Sequence, residues 1–271
     1  MNKFTKVLNK SCQIDLADNV TLQENIVLGN KCKKITIGFG SFIGRDVFID
    51  VEELVIGDYT TIHHGSILNG VNTRIGHNCW FGHYTIIDSL GGETRIGNNV
   101  GVGAHSQLWS HMKFGDMLAG CRWNSSGKLI LEDDVWLVGH SITGPITAKS
   151  KSMLMTGGVA LKDMEENNIY AGAPAINMTE KLGKQFIERD DSEILKSFNK
   201  LLRDFANETG ESIDSIVVVD EFDLKKPNIT QFKPVERSYL PIRSDVEYKF
   251  IKYCLYDKAK FIPWKPYNDC F

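Results

Sequence analysis

Residues 37–108 read IGFGSFIGRDVFIDVEELVIGDYTTIHHGSILNGVNTRIGHNCWFGHYTIIDSLGGETRIGNNVGVGAHSQL, and the spacing within them decides the fold. The dipeptides Ile37-Gly38, Ile56-Gly57, Ile75-Gly76 and Ile96-Gly97 stand 19, 19 and 21 residues apart. Within each interval an aliphatic or aromatic residue returns at every sixth position: Ile37, Ile43, Ile49; Ile56, Ile62, Leu68; Ile75, Phe81, Ile87; Ile96, Val102, Leu108. Four residues after the first and second member of each trio stands a small residue, at Ser41, Val47, Thr60, Ser66, Cys79, Thr85, Val100 and Ser106.

A six-residue beat is neither the three-and-four spacing of an amphipathic helix nor the strict alternation of a half-buried strand. It suits short strands joined by tight corners, each hydrogen-bonded to its counterpart one turn above, which is a parallel β-helix with three strands per turn. Corners call for residues that tolerate positive φ, and Asn30, Asn69, Gly70, Gly92, Asn98 and Asn99 are the candidates. The beat is worn at Ile14, Val20 and Leu28, plain from Ile37 to Leu108, absent from His111 to Lys128, and resumed at Leu131, Leu137 and Thr143. About eight turns at ~4.8 Å give a prism roughly 38 Å long. Residues 112–128 leave it as an ejected loop.

The prism is expected over residues 1–178, ending in Met153, Leu154, Met155, Val159, Leu161 and the run Tyr170-Ala171-Gly172-Ala173-Pro174. Residues 179–271 have another texture. Leu182, Phe186 and Ile187 suggest a short helix, and Ser192 to Phe205 carries apolar residues at three-and-four spacing that Gly210 stops. Ser215 to Val219 reads as a buried strand, and Ser244 to Tyr256 as a last helix. This is a small C-terminal α+β unit without a catalytic constellation.

The 271 residues are 42% hydrophobic and 24% charged with a net charge of -3, so a substantial core forms and no basic surface invites nucleic acid. No apolar stretch approaches membrane-spanning length, and Met1 to Leu16 lacks the apolar run of an export signal, so the expected location is cytoplasmic, without membrane insertion. Six cysteines (Cys12, Cys32, Cys79, Cys121, Cys254, Cys270) show no CxxC and read as reduced, small hydrophobes.

Chemistry is expected where the beat breaks, because a rigid scaffold fixes the base of an ejected loop. His111 stands there, three residues after Leu108, so its imidazole belongs at a prism edge, and an imidazole can take a proton from an attacking hydroxyl. Asp116, Glu132 and Asp134 are candidates to orient it. His83, Asp88, Arg122 and Trp123 lie near the same edge and offer hydrogen-bonding and aromatic groups to an acceptor.

The succession Thr-Ile-Ile-Asp at 85–88, Ile-Gly-Asn-Asn-Val at 96–100, Ser110-His111, Val135-Trp136, Lys162-Asp163 and the closing AGAPA resembles the hexapeptide-repeat acyltransferase family, in particular its galactoside and maltose O-acetyltransferase group. The resemblance implies a mainly β fold, a left-handed parallel β-helix, and assembly as a homotrimer. It implies acetyl-CoA as donor, no metal, and His111 as the general base for direct attack of an acceptor hydroxyl on the thioester. It further implies an oxyanion donor at the Gly139 amide, a wall at Trp136, close approach of pantetheine at Thr156, Gly157 and Gly158, and a CoA phosphate contact at Lys162. Leu137-Val138 stand where the family commonly has Ile-Gly, with glycine displaced to Gly139.

The acceptor expected from the resemblance is a saccharide, of a surface polysaccharide or its precursor. Two other chemistries share the prism. An amino-sugar N-acetyltransferase would use the same donor. A metalloenzyme resembling the γ-class carbonic anhydrases would gather three imidazoles on zinc, for which His64, His77 and His83 are the residues to test.

Overall fold

The structure is a computed structural model that describes residues 6–255 and 257–264. The repeat folds as a left-handed parallel β-helix of about nine turns, one more than the beat suggests. One turn shows the plan: Trp80–Phe81 on one face, Ile86–Ser89 on the next, Thr94–Ile96 on the third. These are called here the third, first and second faces. Phe81 is in register with Ile62 below and Val102 above, Ile87 with Leu68 and Leu108, and Ile96 with Ile75 and Leu131. A two-residue strand has no stability alone. Here each extends a ladder between turns, as in Thr61 N to Cys79 O at 2.8 Å and Trp80 N to Val100 O at 2.9 Å.

The six-residue beat is the inward position. Every aliphatic or aromatic member from Ile37 to Leu108 is buried, and so is every small residue named with them. Two of the buried hydroxyls and the thiol donate to the turn above, Ser41 Oγ to Gly57 O and Thr60 Oγ1 to Gly76 O, each at 2.8 Å, and Cys79 Sγ to Gly97 O at 3.0 Å, while Thr85 Oγ1 donates to Gly82 O of its own turn at 2.7 Å. That is why polar residues fit an aliphatic core.

The corners differ from the expectation. Asn99 and Gly70 do have positive φ, whereas Asn30, Asn69, Gly92 and Asn98 do not. The left-handed residue after Ile-Gly is the third from the isoleucine, at Gly40, Tyr59, Asn78 and Asn99. The glycine of Ile-Gly serves close approach instead: a Cβ on Gly57 would lie 2.6 Å from the Gly76 carbonyl carbon, and one on Gly76 2.5 Å from Gly97 O. The residue between them holds the turns together. Asp58 Oδ1, His77 Nδ1, Asn98 Oδ1 and Asp133 Oδ1 accept in series from the amides of Phe39, Asp58, His77 and Asn98, at 2.8, 2.8, 2.9 and 2.6 Å.

After Leu108 the chain leaves the prism, not as an irregular loop but as an antiparallel hairpin of His111–Lys113 with Asn124–Ser126. Leu131, Leu137 and Thr143 then return to the core, all buried. In the final turns Leu154 is buried, while Met155 and Leu161 face outward.

The chain divides into two compact units, the first running to Phe186 and the second from Ile187. Residues 179–186 stay with the prism because Asn167 grips Phe186 through its amide and carbonyl at 2.8 and 2.9 Å, and Thr179 Oγ1 accepts from Ile169 N at 2.9 Å. The helix there is Thr179–Leu182, so Phe186 and Ile187 lie beyond it. In the second unit a helix spans Asp191–Thr209, capped by Asp190, whose side chain accepts from Glu193 N, and ended by Gly210 at φ 73. A strand covers Ile216–Val218 and a helix Asp245–Leu255; the expected end at Tyr256 lies outside the described residues. Cys32, Cys79 and Cys254 are buried free thiols, Cys12 is part-buried and free, and Cys121 is exposed and free. Cys270 lies outside the described residues. Among the described residues no helix is long and apolar enough to cross a membrane.

Candidate active site

The corner between the first and second faces carries a hydrogen-bonded cluster at the foot of the hairpin. Asp88 lies within the buried run of Ile86–Ser89 and is 1% exposed. Its Oδ1 lies 2.8 Å from His111 Nδ1 and 2.6 Å from Ser110 Oγ, and the Leu90 amide approaches at 3.2 Å. Ser110 Oγ accepts in turn from the Gly91 amide at 2.8 Å. The backbones approach closely here, since a Cβ on Gly91 would stand 2.3 Å from Ser110 O and 2.7 Å from His111 Cβ.

A carboxylate at Nδ1 assigns the ring proton to that nitrogen and leaves the Nε2 lone pair outward. The His111 side chain is 21% exposed, so the ring is accessible from solvent. Trp109 flanks it edge-on, ring centroids 6.0 Å apart, and is itself held by Nε1–H donating to Gln107 Oε1 at 3.0 Å.

Asp88 therefore differs from the sequence expectation: its side chain is buried against His111 and Ser110, not turned to an acceptor. The expected orienting acids are engaged elsewhere. Asp116 caps a turn at the loop tip through the Leu118 and Ala119 amides, Glu132 Oε2 accepts from Ser150 N and Oγ, and Asp134 forms a corner at φ 62. Ser110 is marked in the sequence only as part of the Ser110-His111 motif, not as a partner of Asp88. The signal was the register: Leu108 lies directly above Ile87, so the residues after Ile87 run beneath those leading to His111.

Arg122 and Trp123 stand on the returning limb of the loop. With Met112, Gly144, Pro145 and Leu161 they line a groove of about 310 Å³ at the hairpin's base. Lys162, next to Leu161, is exposed at the same corner two turns further on.

The other expected site residues lie on a different edge. Trp136 is 46% exposed and projects from the third face over Gly101, whose Cβ position is 3.2 Å from the indole. Gly139, Thr156, Gly157 and His83 occupy the corner between the third and first faces, and around Gly157 nothing lies within 4 Å of a Cβ position. Within one chain, the first face separates this edge from His111.

The three histidines expected for a metal do not converge. His77 Nδ1 accepts from the Asp58 amide at the corner between the second and third faces, whereas the His64 and His83 rings stack at 3.9 Å on another. Among the described residues no group of three or more His, Cys, Asp or Glu side chains is placed to hold a metal ion.

No family model matches the chain. A 102-residue stretch is 34% identical to the bifunctional protein GlmU of Anaplasma marginale (strain Florida), covering 36% of this chain and 22% of that protein. A 170-residue stretch is 26% identical to GlmU of Burkholderia multivorans, covering 56% and 33%. The chain thus spans a third or less of the length of the curated relatives it matches. Among solved structures it is similar to the polysialic acid O-acetyltransferase OatWY, at 16% identity and TM-score 0.46 over 73% of this chain and 98% of that one. A mutant of AntD, an N-acyltransferase from Bacillus cereus in complex with dTDP and coenzyme A, is 20% identical with TM-score 0.41, over 62% and 93%. A hexapeptide-repeat acetyltransferase from Vibrio cholerae, complexed with acetyl coenzyme A, is 17% identical with TM-score 0.33, over 52% and 68%.

Proposed function

We propose that the chain is an acetyl-CoA-dependent O-acetyltransferase that acts on a saccharide hydroxyl, of a surface polysaccharide or its precursor, in the cytoplasm. The observation that carries this reading is the Asp88–His111 pair, an imidazole held by a buried carboxylate at the foot of the one long excursion from the repeat. Such a pair suits general-base catalysis.

In this reading His111 Nε2 takes the proton of the acceptor hydroxyl as its oxygen attacks the thioester carbonyl. Asp88 keeps the Nδ1 proton in place and stabilises the imidazolium that forms. The tetrahedral oxyanion needs a hydrogen-bond donor, a role assigned to the Gly139 amide. Collapse breaks the C–S bond, and the departing thiolate recovers the proton from His111, so the base is regenerated and no acyl-enzyme forms.

Gly139, Trp136, Thr156 and Gly157 lie on a different edge from His111. The reading therefore requires a second copy of the chain to present its third-face edge to this hairpin, as a homotrimer would. Lys162 then meets a CoA phosphate, and Arg122, Trp123 and His83 face the acceptor.

Incubation with acetyl-CoA labelled at the carbonyl carbon, with a panel of oligosaccharides and amino sugars, tests the reading by carbon NMR. An ester carbonyl on a sugar is the expected product. An amide would assign the chain to amino-sugar N-acetylation, and free acetate alone would remove the acceptor altogether.

A further inference from the structure

Five of the seven histidines, His63, His64, His83, His105 and His140, gather at the corner between the third and first faces, on four successive turns. Their rings form one column with Tyr84. His63 and His64 lie 4.5 and 3.9 Å from His83, Tyr84 lies 5.4 Å from His64 and 5.2 Å from His105, and His105 lies 5.1 Å from His140.

The fold does not require these rings. Tyr84, His105 and His140 sit at φ 57, 60 and 61, and the equivalent position holds Gly65 one turn below Tyr84 and Gly157 one turn above His140. Glycine satisfies that backbone with less strain. The upper rings lie nearly parallel, at 17° and 15°, so their faces cover one another and their nitrogen-bearing edges are left to meet a ligand. Tyr84, His105 and His140 are exposed, while His63, His64 and His83 are part-buried.

Charge points to the sign of that ligand. Among the described residues no carboxylate is hydrogen-bonded or ion-paired with any of the five imidazoles. Arg45 and Asp46, one turn earlier on the same corner, are paired with each other at 3.8 Å. His83 Nδ1 is buried without a partner. Burial, and after it the neighbouring imidazoles, hold the pKa values of His63 and His83 below the usual histidine value, so protonation here awaits an anion.

We propose that this column is a binding track for an extended, carboxylated saccharide chain, whose successive carboxylates meet successive imidazole edges along the prism axis. The claim rests on the saccharide reading above and narrows it to an acidic polymer. The rungs repeat at the strand spacing of the prism, of the same order as one sugar residue of an extended chain.

The test is binding measured by calorimetry without acetyl-CoA, using an oligogalacturonate and a malto-oligosaccharide of equal length. The oligogalacturonate is expected to bind at least about 10-fold more tightly at about pH 5.5 than at about pH 7.5, as histidine protonation demands. The neutral oligomer should not bind measurably at either pH. The double variant His105→Asn/His140→Asn, which keeps residues at home in left-handed corners, should lose most of the difference. In the native protein, NMR of the imidazole protons should show the His105 and His140 titrations moving to higher pH when the oligogalacturonate is added. Equal binding of both oligomers, binding indifferent to pH, imidazole titrations that do not move, or an unaffected variant would each overturn the proposal. Because no acyl donor is present, acetyl transfer to neutral sugars without oligogalacturonate binding sinks the track alone. Binding without release of CoA on any acceptor sinks the transferase reading alone.

Discussion

Asp88 Oδ1 stands 2.8 Å from His111 Nδ1, and the same oxygen receives the Ser110 hydroxyl at 2.6 Å while Oδ2 is buried without a partner. One carboxylate oxygen thus takes up the donors, and its geometry fixes the tautomer of the ring. Asp88→Asn replaces an acceptor by a group that can present N–H to Nδ1, which moves the ring proton to Nε2 and removes the base. Turnover is expected to fall at least ~10²-fold, with the circular dichroism spectrum unchanged. Retention of native turnover would show that Asp88 does not set the tautomer.

Ser110 bridges the Gly91 amide and Asp88. Ser110→Ala leaves a buried amide and a carboxylate each short of a hydrogen bond, a loss of about 1–3 kcal/mol. Chemical denaturation of the prism reads it. Because the same hydroxyl positions Asp88, kcat should fall while the KM for acetyl-CoA stays constant.

Gly76→Ala tests why the Ile-Gly glycines are there. A Cβ at this position would lie 2.5 Å from Gly97 O, and backbone cannot move aside without separating two turns. Destabilisation of about 1–3 kcal/mol or more is expected. Asn99→Ala, at φ 61, adds backbone strain and removes the buried hydrogen bond that Asn78 Nδ2 donates to Asn99 Oδ1 at 3.0 Å, so it too should destabilise by about 1–3 kcal/mol.

In the second unit Glu247 is fully buried and accepts from Ile242 N at 2.7 Å, Thr230 Oγ1 at 3.2 Å and Arg243 N at 3.3 Å. Burial raises its pKa above the usual carboxyl value, a shift only partly offset by these bonds. With the folded value above the unfolded one, the folded state holds the extra proton. The group's contribution is then full below the unfolded pKa and declines as pH rises through the folded value. The stability of the native protein relative to Glu247→Gln should decline over that window. A difference that grows with pH would contradict the assignment.

The prism was legible because its rule is local and repeated: Ile37 to Leu108 fixes inward positions whatever surrounds them. Left-handed corner positions were less so, because the recurrent one is filled by Gly40, Tyr59, Asn78 and Asn99, so residue type alone does not mark it. His111 was legible as the residue at the break in the beat. Its partner was not, since Asp88 lies 23 residues earlier and meets it only through the register of Ile87 with Leu108. Asp116, much nearer in sequence, serves a local turn, Glu132 accepts from Ser150 on the next turn, and Asp134, as far from His111 as Asp88 is, forms another corner. Part of the histidine column was legible, since His64 and His83 stand 19 residues apart, one turn; its continuation to His105 and His140 was not, because these stand one position later in their hexads.

Release of CoA thiol from saturating acetyl-CoA, in the presence of an acceptor, compared between the native protein and His111→Ala, tests the central claim most directly. A fall of at least ~10²-fold in turnover, with the fold and acetyl-CoA affinity unchanged, is the predicted result for a lost general base. Equal turnover by the variant would contradict the account and place the base elsewhere.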